Sequence, residues 1–302
     1  MLDSDDLNMI VARIEAKNPL HAKKIKKHLK TQDSIFFERL TDFLGAYKAF
    51  LKKQGQGLSD ALDCYLRLVA EVTLDHVRFL ETGRYANQNF EEVKENVYDQ
   101  PDIMDSYMKG LLLSQFFWRQ HYAVFSFFIE ALPSFQSMVE NYLEIGCGHG
   151  LYLSQALKIF PKANIDVVDI SASSLAMARL FTLSERPRYI QADIHDVQES
   201  EKYDFITLGE VLEHVQDPKK ILAKVNALLK PQGLLFVTAP ANAPAKDHLY
   251  LFHNEQEIKD MILKAGLNIV KDIHVYAEDV DSTRAQELKV SSLYAALAQK
   301  KG

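Results

Sequence analysis

Two hydropathy patterns divide the chain. From about residue 139 onward, short apolar runs alternate with stretches of helical spacing. Residues 143–145, 164–169, 188–193, 203–209 and 231–240 read as strands. Within them, 167–168 and 234–237 are continuously apolar, as parallel strands covered on both faces should be. Between them, 151–157, 172–180, 219–230 and 254–265 read as helices, and Gly266 stands where a left-handed cap would close the last one. The runs at 267–275 and 292–300 are placed to pair antiparallel, and Pro231-Gln-Gly233 reads as a turn. This β/α order predicts a mostly parallel sheet flanked by helices and ending in a hairpin.

Residues 1–138 carry little strand-like alternation. Leu62, Tyr65, Leu66, Val69, Thr73 and Leu80 share one helical face, with Asp63, Arg67, Glu71, Asp75 and Arg78 on the other. Pro101 is suited to the first turn of a helix. The apolar spacing continues that helix through Tyr107 and Trp118 to Leu132. Gln54-Gly-Gln-Gly-Leu-Ser is the clearest break, and no repeat or low-complexity linker is present. The expected organisation is a helical part, 1–138, followed by an α/β domain, 139–302.

Candidate chemistry begins at Leu143-Glu-Ile-Gly-Cys-Gly-His-Gly150. Strand, glycine turn and helix open a nucleotide-binding α/β unit, and glycines let the backbone turn sharply and approach a ligand. A dinucleotide fingerprint, Gly-x-Gly-x-x-Gly, would need its third glycine at 151. That position is Leu151, the glycine is Gly150, and an acid, Glu144, precedes the first glycine. Asp169 ends the next strand about 20 residues on, where an acid can accept from ribose hydroxyls. Asp169 or Ser171 also suits the cap of the following helix.

Glu-x-Gly-x-Gly-x-Gly resembles motif I of the class I S-adenosylmethionine (SAM) methyltransferases. Glu210-Val-Leu-Glu213-His214-Val-Gln-Asp217-Pro218, after the fourth strand, resembles the ubiquinone-pathway O-methyltransferases of that class. The resemblance covers roughly 139–302. It implies a Rossmann-like, seven-stranded, mostly parallel sheet with an antiparallel terminal strand, preceded here by an all-helical N-terminal cap. It also implies SAM as cofactor and S-adenosylhomocysteine as product. By that resemblance the cofactor site comprises Glu144, Gly146, Cys147, Gly148, Gly150, Asp169, Ile170, Asp193, Ile194, Gly209 and Glu210, with Tyr107 from the helical part. Asp193 and Ile194 would line the adenine pocket.

The expected reaction is methyl transfer to a small molecule, at oxygen first, with transfer to nitrogen or carbon, or a non-catalytic partner subunit, as alternatives. An acceptor hydroxyl needs a base. His214 is the first candidate and His248 the second, with Glu213 beside His214. Glu210, Glu213 and His214 would face one way if that stretch is helical. With His248 they are the set that would hold a divalent ion, although no metal is assigned from the sequence. For the acceptor pocket, Gln115, Trp118, Arg119, Tyr122 and Tyr250 pair flat or long side chains with polar tips. Most aromatics over 107–128 read as core packing, with a lid over a planar acceptor or a homodimer interface as the other roles.

Composition narrows the partners. The chain has 302 residues and a net charge of -6, which disfavours phosphate-driven nucleic-acid binding. One basic stretch, residues 21–30, holds five lysines; a solvated helix face is the ordinary reading, and an anion or a carrier protein the alternative. Cys64 and Cys147 suggest no disulfide framework. No apolar run is long enough for a membrane span, and the acidic N-terminus is unlike a signal peptide, so a cytoplasmic location is expected.

Overall fold

The computed structural model describes residues 4–87 and 89–301; the first three residues of the acidic N-terminus lie outside it. The N-terminal part is helical: α1 (Ser4–Lys17), α2 (Pro19–Lys30), α3 (Ser34–Lys53), α4 (Leu58–Thr82) and α5 (Phe90–Val93). A π-helical turn, Lys94–Tyr98, leads to α6 (Pro101–Phe117) and α7 (Arg119–Ala131). Side-chain caps fix the starts: Asn18 accepts from the His21 N–H and Asp33 from the Phe36 N–H.

The long helix expected over 101–132 is in fact two. Trp118 is extended (φ −104°, ψ 124°), and no glycine or proline marks the break. Its indole N–H donates to the Tyr65 hydroxyl at 3.0 Å. Beyond the break, α7 packs on the sheet, with Phe128 4.7 Å from Phe236. Tertiary contacts thus override helix spacing. Leu80 also departs from expectation: α4 buries Leu62, Tyr65 and Val69, but Leu74, Val77 and Leu80 face solvent.

The second part runs β1 (Asn141–Ile145), α8 (Leu151–Ile159), β2 (Asn164–Asp169), α9 (Ala172–Thr182), β3 (Arg188–Gln191) and β4 (Tyr203–Gly209). It continues with α10 (Pro218–Leu228), β5 (Leu229–Ala241), α11 (Glu255–Lys264), β6 (Leu267–Tyr276), α12 (Ser282–Glu287) and β7 (Ser292–Lys300). The sheet order is β3-β2-β1-β4-β5-β7-β6, with β7 antiparallel to both neighbours. The expected turn at Pro231-Gln-Gly233 lies inside β5 instead, where the β4–β5 register shifts and Gln232 has φ 65°.

The helices are built onto the α/β part. Phe43, Phe50 and Phe116 share one core cluster with Leu151, Met177 and Phe181 from α8 and α9. Each such side chain contributes about 1.5–3 kcal/mol on burial. No helix among the described residues is long and apolar enough to cross a membrane. The order reverses between β1 and β4, and open α/β sheets bind ligands at that switch.

Candidate active site

A cavity of about 160 Å³ opens at this switch, lined by Gly146, Gly148, Asp169, Ile170, Asp193, Ile194 and Glu210. Its roof comes from the helical half: Phe90, Tyr98, Met104 and Met108. Gly146 has φ +69°, and a Cβ there would stand 2.5 Å from Val211 Cγ2, so only glycine fits without a shift. Gly150 is not among the lining residues, and close packing fixes it as glycine. Its Cβ would lie 2.8 Å from the Ala178 Cα, where α8 crosses α9.

Asp169 is buried at the tip of β2. Its Oδ1 accepts the Ser171 N–H at 2.8 Å, and Oδ2 accepts the Cys147 thiol at 3.6 Å. Burial pushes the Asp169 carboxyl up, and the backbone donors of the loop oppose that. Burial also pushes the Cys147 thiol well up, which leaves it a poor nucleophile. Ser171 caps α9 by accepting from the Ser174 N–H, so strand-end acid and cap coexist.

A larger cavity, about 500 Å³, lies between the helical half and the loops after β5 and β6. Leu68, Val69, Val72, Leu111 and Phe117 form an apolar wall; Tyr107, Trp118, Arg119, Glu210 and His248 are its polar lining. Glu210 therefore lines both cavities. Its φ of 53° is unusual for a non-glycine residue. Thr238 holds it: the Glu210 N–H donates to Thr238 Oγ1 at 2.9 Å, and that hydroxyl donates to Glu210 Oε1 at 2.6 Å. Burial raises the Glu210 carboxyl toward neutrality.

Beside Glu210 sit Glu213, His214 and His248, whose ligand atoms all lie within 4.8 Å of one another. Glu213 is fully buried, yet neither carboxylate oxygen has a hydrogen-bond partner among the described residues. Burial drives its carboxyl well up, reinforced by Glu210. His248 Nδ1 lies 2.6 Å from the Ala243 carbonyl, and burial lowers its ring to about 4. His214 Nδ1 lies 3.0 Å from the Asp247 carbonyl. The His248 ring thus carries its proton on Nδ1 and leaves its Nε2 lone pair bare, the tautomer inferred from that acceptor. His214 Nδ1 also meets the Tyr98 hydroxyl at 3.1 Å, and its Nε2 lies 3.6 Å from Glu213 Oε1.

One expectation about this stretch is corrected. Residues 210–214 are not one helical turn; Glu210 is left-handed and only Leu212–His214 forms a 3-10 turn. Glu210 is engaged by Thr238 and stands outside the cluster of Glu213, His214 and His248.

Other expected site residues lie outside the cavity expected for them. Glu144, at the end of β1, and Cys147, within the glycine loop, are buried and line neither cavity, and a Cβ on Gly209 would meet the Tyr152 ring at 3.3 Å. Tyr107 lines the larger cavity rather than the smaller, its hydroxyl donating to Asp247 Oδ1 at 3.0 Å. Gln115 is buried on His121, Tyr122 belongs to the helical core, and Tyr250 packs against Phe252. Sequence reading missed His21, Lys24, Lys27 and His28 on α2, and Ala277 to Asp279 after β6, as cavity lining. The lysine run was the one signal there.

Glu144 carries a testable pH dependence. Its Oε2 lies 2.9 Å from the Tyr142 hydroxyl, and burial, reinforced by Asp169, pushes its carboxyl up to about 8. An acid with a raised folded-state pKa keeps its proton in the fold while the unfolded chain releases it. Stability therefore falls as pH rises from about 4.5 to about 8. The slope is at most about 1.4 kcal/mol per pH unit. Glu144→Gln should flatten this decline, so denaturant titrations at pH 6 and pH 8 should show the variant gaining on the wild type. An equal wild-type-to-variant difference at both pH values would show that Glu144 is ionised in the fold.

The comparisons agree with this geometry. The family model described as "Methyltransferase domain" matches residues 117–272, and the chain belongs to that family, within the SAM-dependent class I methyltransferases. A ubiquinone biosynthesis O-methyltransferase of Hydrogenovibrio crunogenus is 33% identical over 144 residues, 45% of this chain and 57% of that protein. A malonyl-[acyl-carrier protein] O-methyltransferase of Ilyobacter polytropus is 35% identical over 98 residues, 32% of this chain and 38% of that protein. The matches thus span well under two thirds of these relatives' length. Among solved structures, a chain from the complex of the Haloferax volcanii Trm112 methyltransferase activator with a methyltransferase has 17% identity and a TM-score of 0.51. It covers 68% of this chain and 99% of that one, and the likeness is one of fold.

Proposed function

We propose that the chain is a SAM-dependent O-methyltransferase whose small-molecule acceptor occupies the larger cavity. The observation that carries this reading is Glu210, which lines both cavities and so marks where donor and acceptor meet. Asp169 would accept from the ribose hydroxyls, Asp193 and Ile194 would hold the adenine, and the methyl end would face Glu210. When bound, SAM supplies a methyl group on a sulfonium leaving group. The chain's own residues orient the acceptor and exclude water; alignment of this kind supplies up to ~7–11 kcal/mol. The bare Nε2 of His248, which lines the larger cavity, and the His214 ring beside it are the bases that would take a hydroxyl proton, with Tyr98 and the Asp247 carbonyl steadying His214. Residues 1–138 act as the cap that selects the acceptor, with Trp118 and Arg119 in the wall.

The names of the matched relatives favour oxygen as the methylated atom, and some are named for an acyl-carrier substrate. The lysines of α2 at the cavity mouth would suit an acidic carrier protein of that kind. The test is to incubate the purified chain with methyl-labelled SAM and fractionated small-molecule extract. The expected product is one methyl heavier, on oxygen. A chain that binds SAM but labels nothing in any fraction would contradict the reading.

The buried carboxyl of Glu213, with no hydrogen bond among the described residues and only His214 Nε2 at 3.6 Å, favours a second element. Glu213, His214 and His248 fit a divalent ion, since both imidazoles lean their Nδ1 on backbone carbonyls as metal ligands do. Such an ion would polarise the acceptor hydroxyl and ease loss of its proton.

A further inference from the structure

The larger cavity has two chemically distinct ends. Its inner end holds the buried His248 and the half-buried Glu210. Its mouth is basic: Lys24 and Lys27 from α2 and Arg119 from α7 stand there, with side chains 61%, 67% and 47% exposed. The mouth has two acids, Glu278 and Asp279, both in the loop after β6. Lys24 pairs with Glu278, Lys27 with Asp279 at 2.8 Å, and Arg119 reaches Asp279 at 3.9 Å. Exposed pairs of this kind contribute little, so a ligand anion can replace the loop acids as partner at small cost.

Three further features give the mouth a positive potential in a chain whose net charge is -6. Lys23 and Lys30, also exposed on α2, have no ion-pair partner among the described residues. The first turn of α7, residues 119–121, lines the cavity, and no side chain caps that helix end. Its positive dipole end therefore adds to Arg119. Between mouth and inner end the wall is apolar, formed by Leu68, Val69, Val72, Leu111 and Phe117.

Resting on the methyl-transfer reading above, we propose that the acceptor is an amphipathic anion. Its carboxylate or phosphate is held at the mouth by Lys24, Lys27 and Arg119 in exchange for Glu278 and Asp279. Its apolar body fills the cavity, and its hydroxyl meets the donor beside Glu210. The basic mouth thus fixes both the class of acceptor and the direction in which it enters.

A matched pair of fluorescent probes tests this on the full chain: 8-anilino-1-naphthalenesulfonate, and N-phenyl-1-naphthylamine, which lacks the sulfonate. The triple variant K24Q/K27Q/R119Q should bind the sulfonate about ten-fold more weakly, with the neutral probe within two-fold of wild type. The variant E278Q/D279N should bind the sulfonate several-fold more tightly. Unaltered neutral-probe binding shows that the cavity is intact in each variant. Displacement of the sulfonate by 4-phenylbutyrate assigns the anion to a carboxylate, and displacement by pantetheine 4′-phosphate to a phosphate. A wild type that binds neither probe, parallel changes for both probes, or displacement by neither competitor would overturn the proposal. SAM titrations on the same samples keep the readings apart. Failure to bind SAM contradicts the methyltransferase reading alone, whereas loss of the sulfonate preference with SAM binding intact contradicts this one alone.

Discussion

Asp169→Ala is expected to weaken SAM binding by ~10²–10⁴-fold, because a carboxylate accepting from two ribose hydroxyls makes two charge-assisted bonds of about 1.5–3 kcal/mol each. The loss should fall on binding rather than on the fold. Within the protein Asp169 accepts from the Ser171 N–H and the Cys147 thiol, and its burial raises its pKa, so the empty site gains little from its charge. Ser171 retains its own capping bond to Ser174 when the acid is removed. Calorimetric titration of the variant beside a denaturant midpoint separates the two effects. An affinity within a few-fold of wild type, with an unchanged midpoint, would remove Asp169 from the cofactor site.

The second large effect is expected at His214. His214→Ala should lower turnover by ~10²–10⁴-fold, the range for losing a positioned base, with SAM affinity within a few-fold of wild type. His214 lines the cofactor cavity and stands beside Glu213 and beside His248, which lines the larger cavity. An imidazole acting as a lone base and one acting as a metal ligand both predict this loss, and two further measurements separate them. If a divalent ion is held there, chelation should abolish wild-type turnover and added Mg²⁺, Mn²⁺ or Zn²⁺ should restore it. Glu213→Gln should then be as damaging as His214→Ala. If His214 acts alone, chelation should leave turnover unchanged, and Glu213→Gln should be mild because glutamine matches the carboxyl in size and burial disfavours its charged form. Turnover by His214→Ala near the wild-type rate would contradict both.

What was legible in the sequence was what local chemistry determines. The β1 glycine loop, the acids at Asp169 and Asp193, and the alternation of strands and helices all express short-range rules, and they appear where expected. What was not legible depends on contacts between distant segments. The break at Trp118 follows from its bond to Tyr65 and from the seat of α7 on β5, which leave no mark on residues 117–119. The left-handed backbone of Glu210 is imposed through Thr238, 28 positions away. The roles of Gly150 and Glu144 are invisible for the same reason. Their motif positions suggest ligand contact, whereas only the fold shows that one also sits where α8 crosses α9 and the other accepts from the buried Tyr142 hydroxyl. The basic mouth joins α2 to a loop some 250 residues later, so the lysine run could be seen and its purpose could not.

The central claim is that the cavity between the glycine loop, Asp169 and Glu210 is built for SAM. Isothermal titration of the 302-residue chain with SAM tests it directly. The expected result is a single site with Kd at or below about 10 μM, near -7 kcal/mol. Absence of heat and of any competing signal at concentrations about 100-fold higher would contradict the claim.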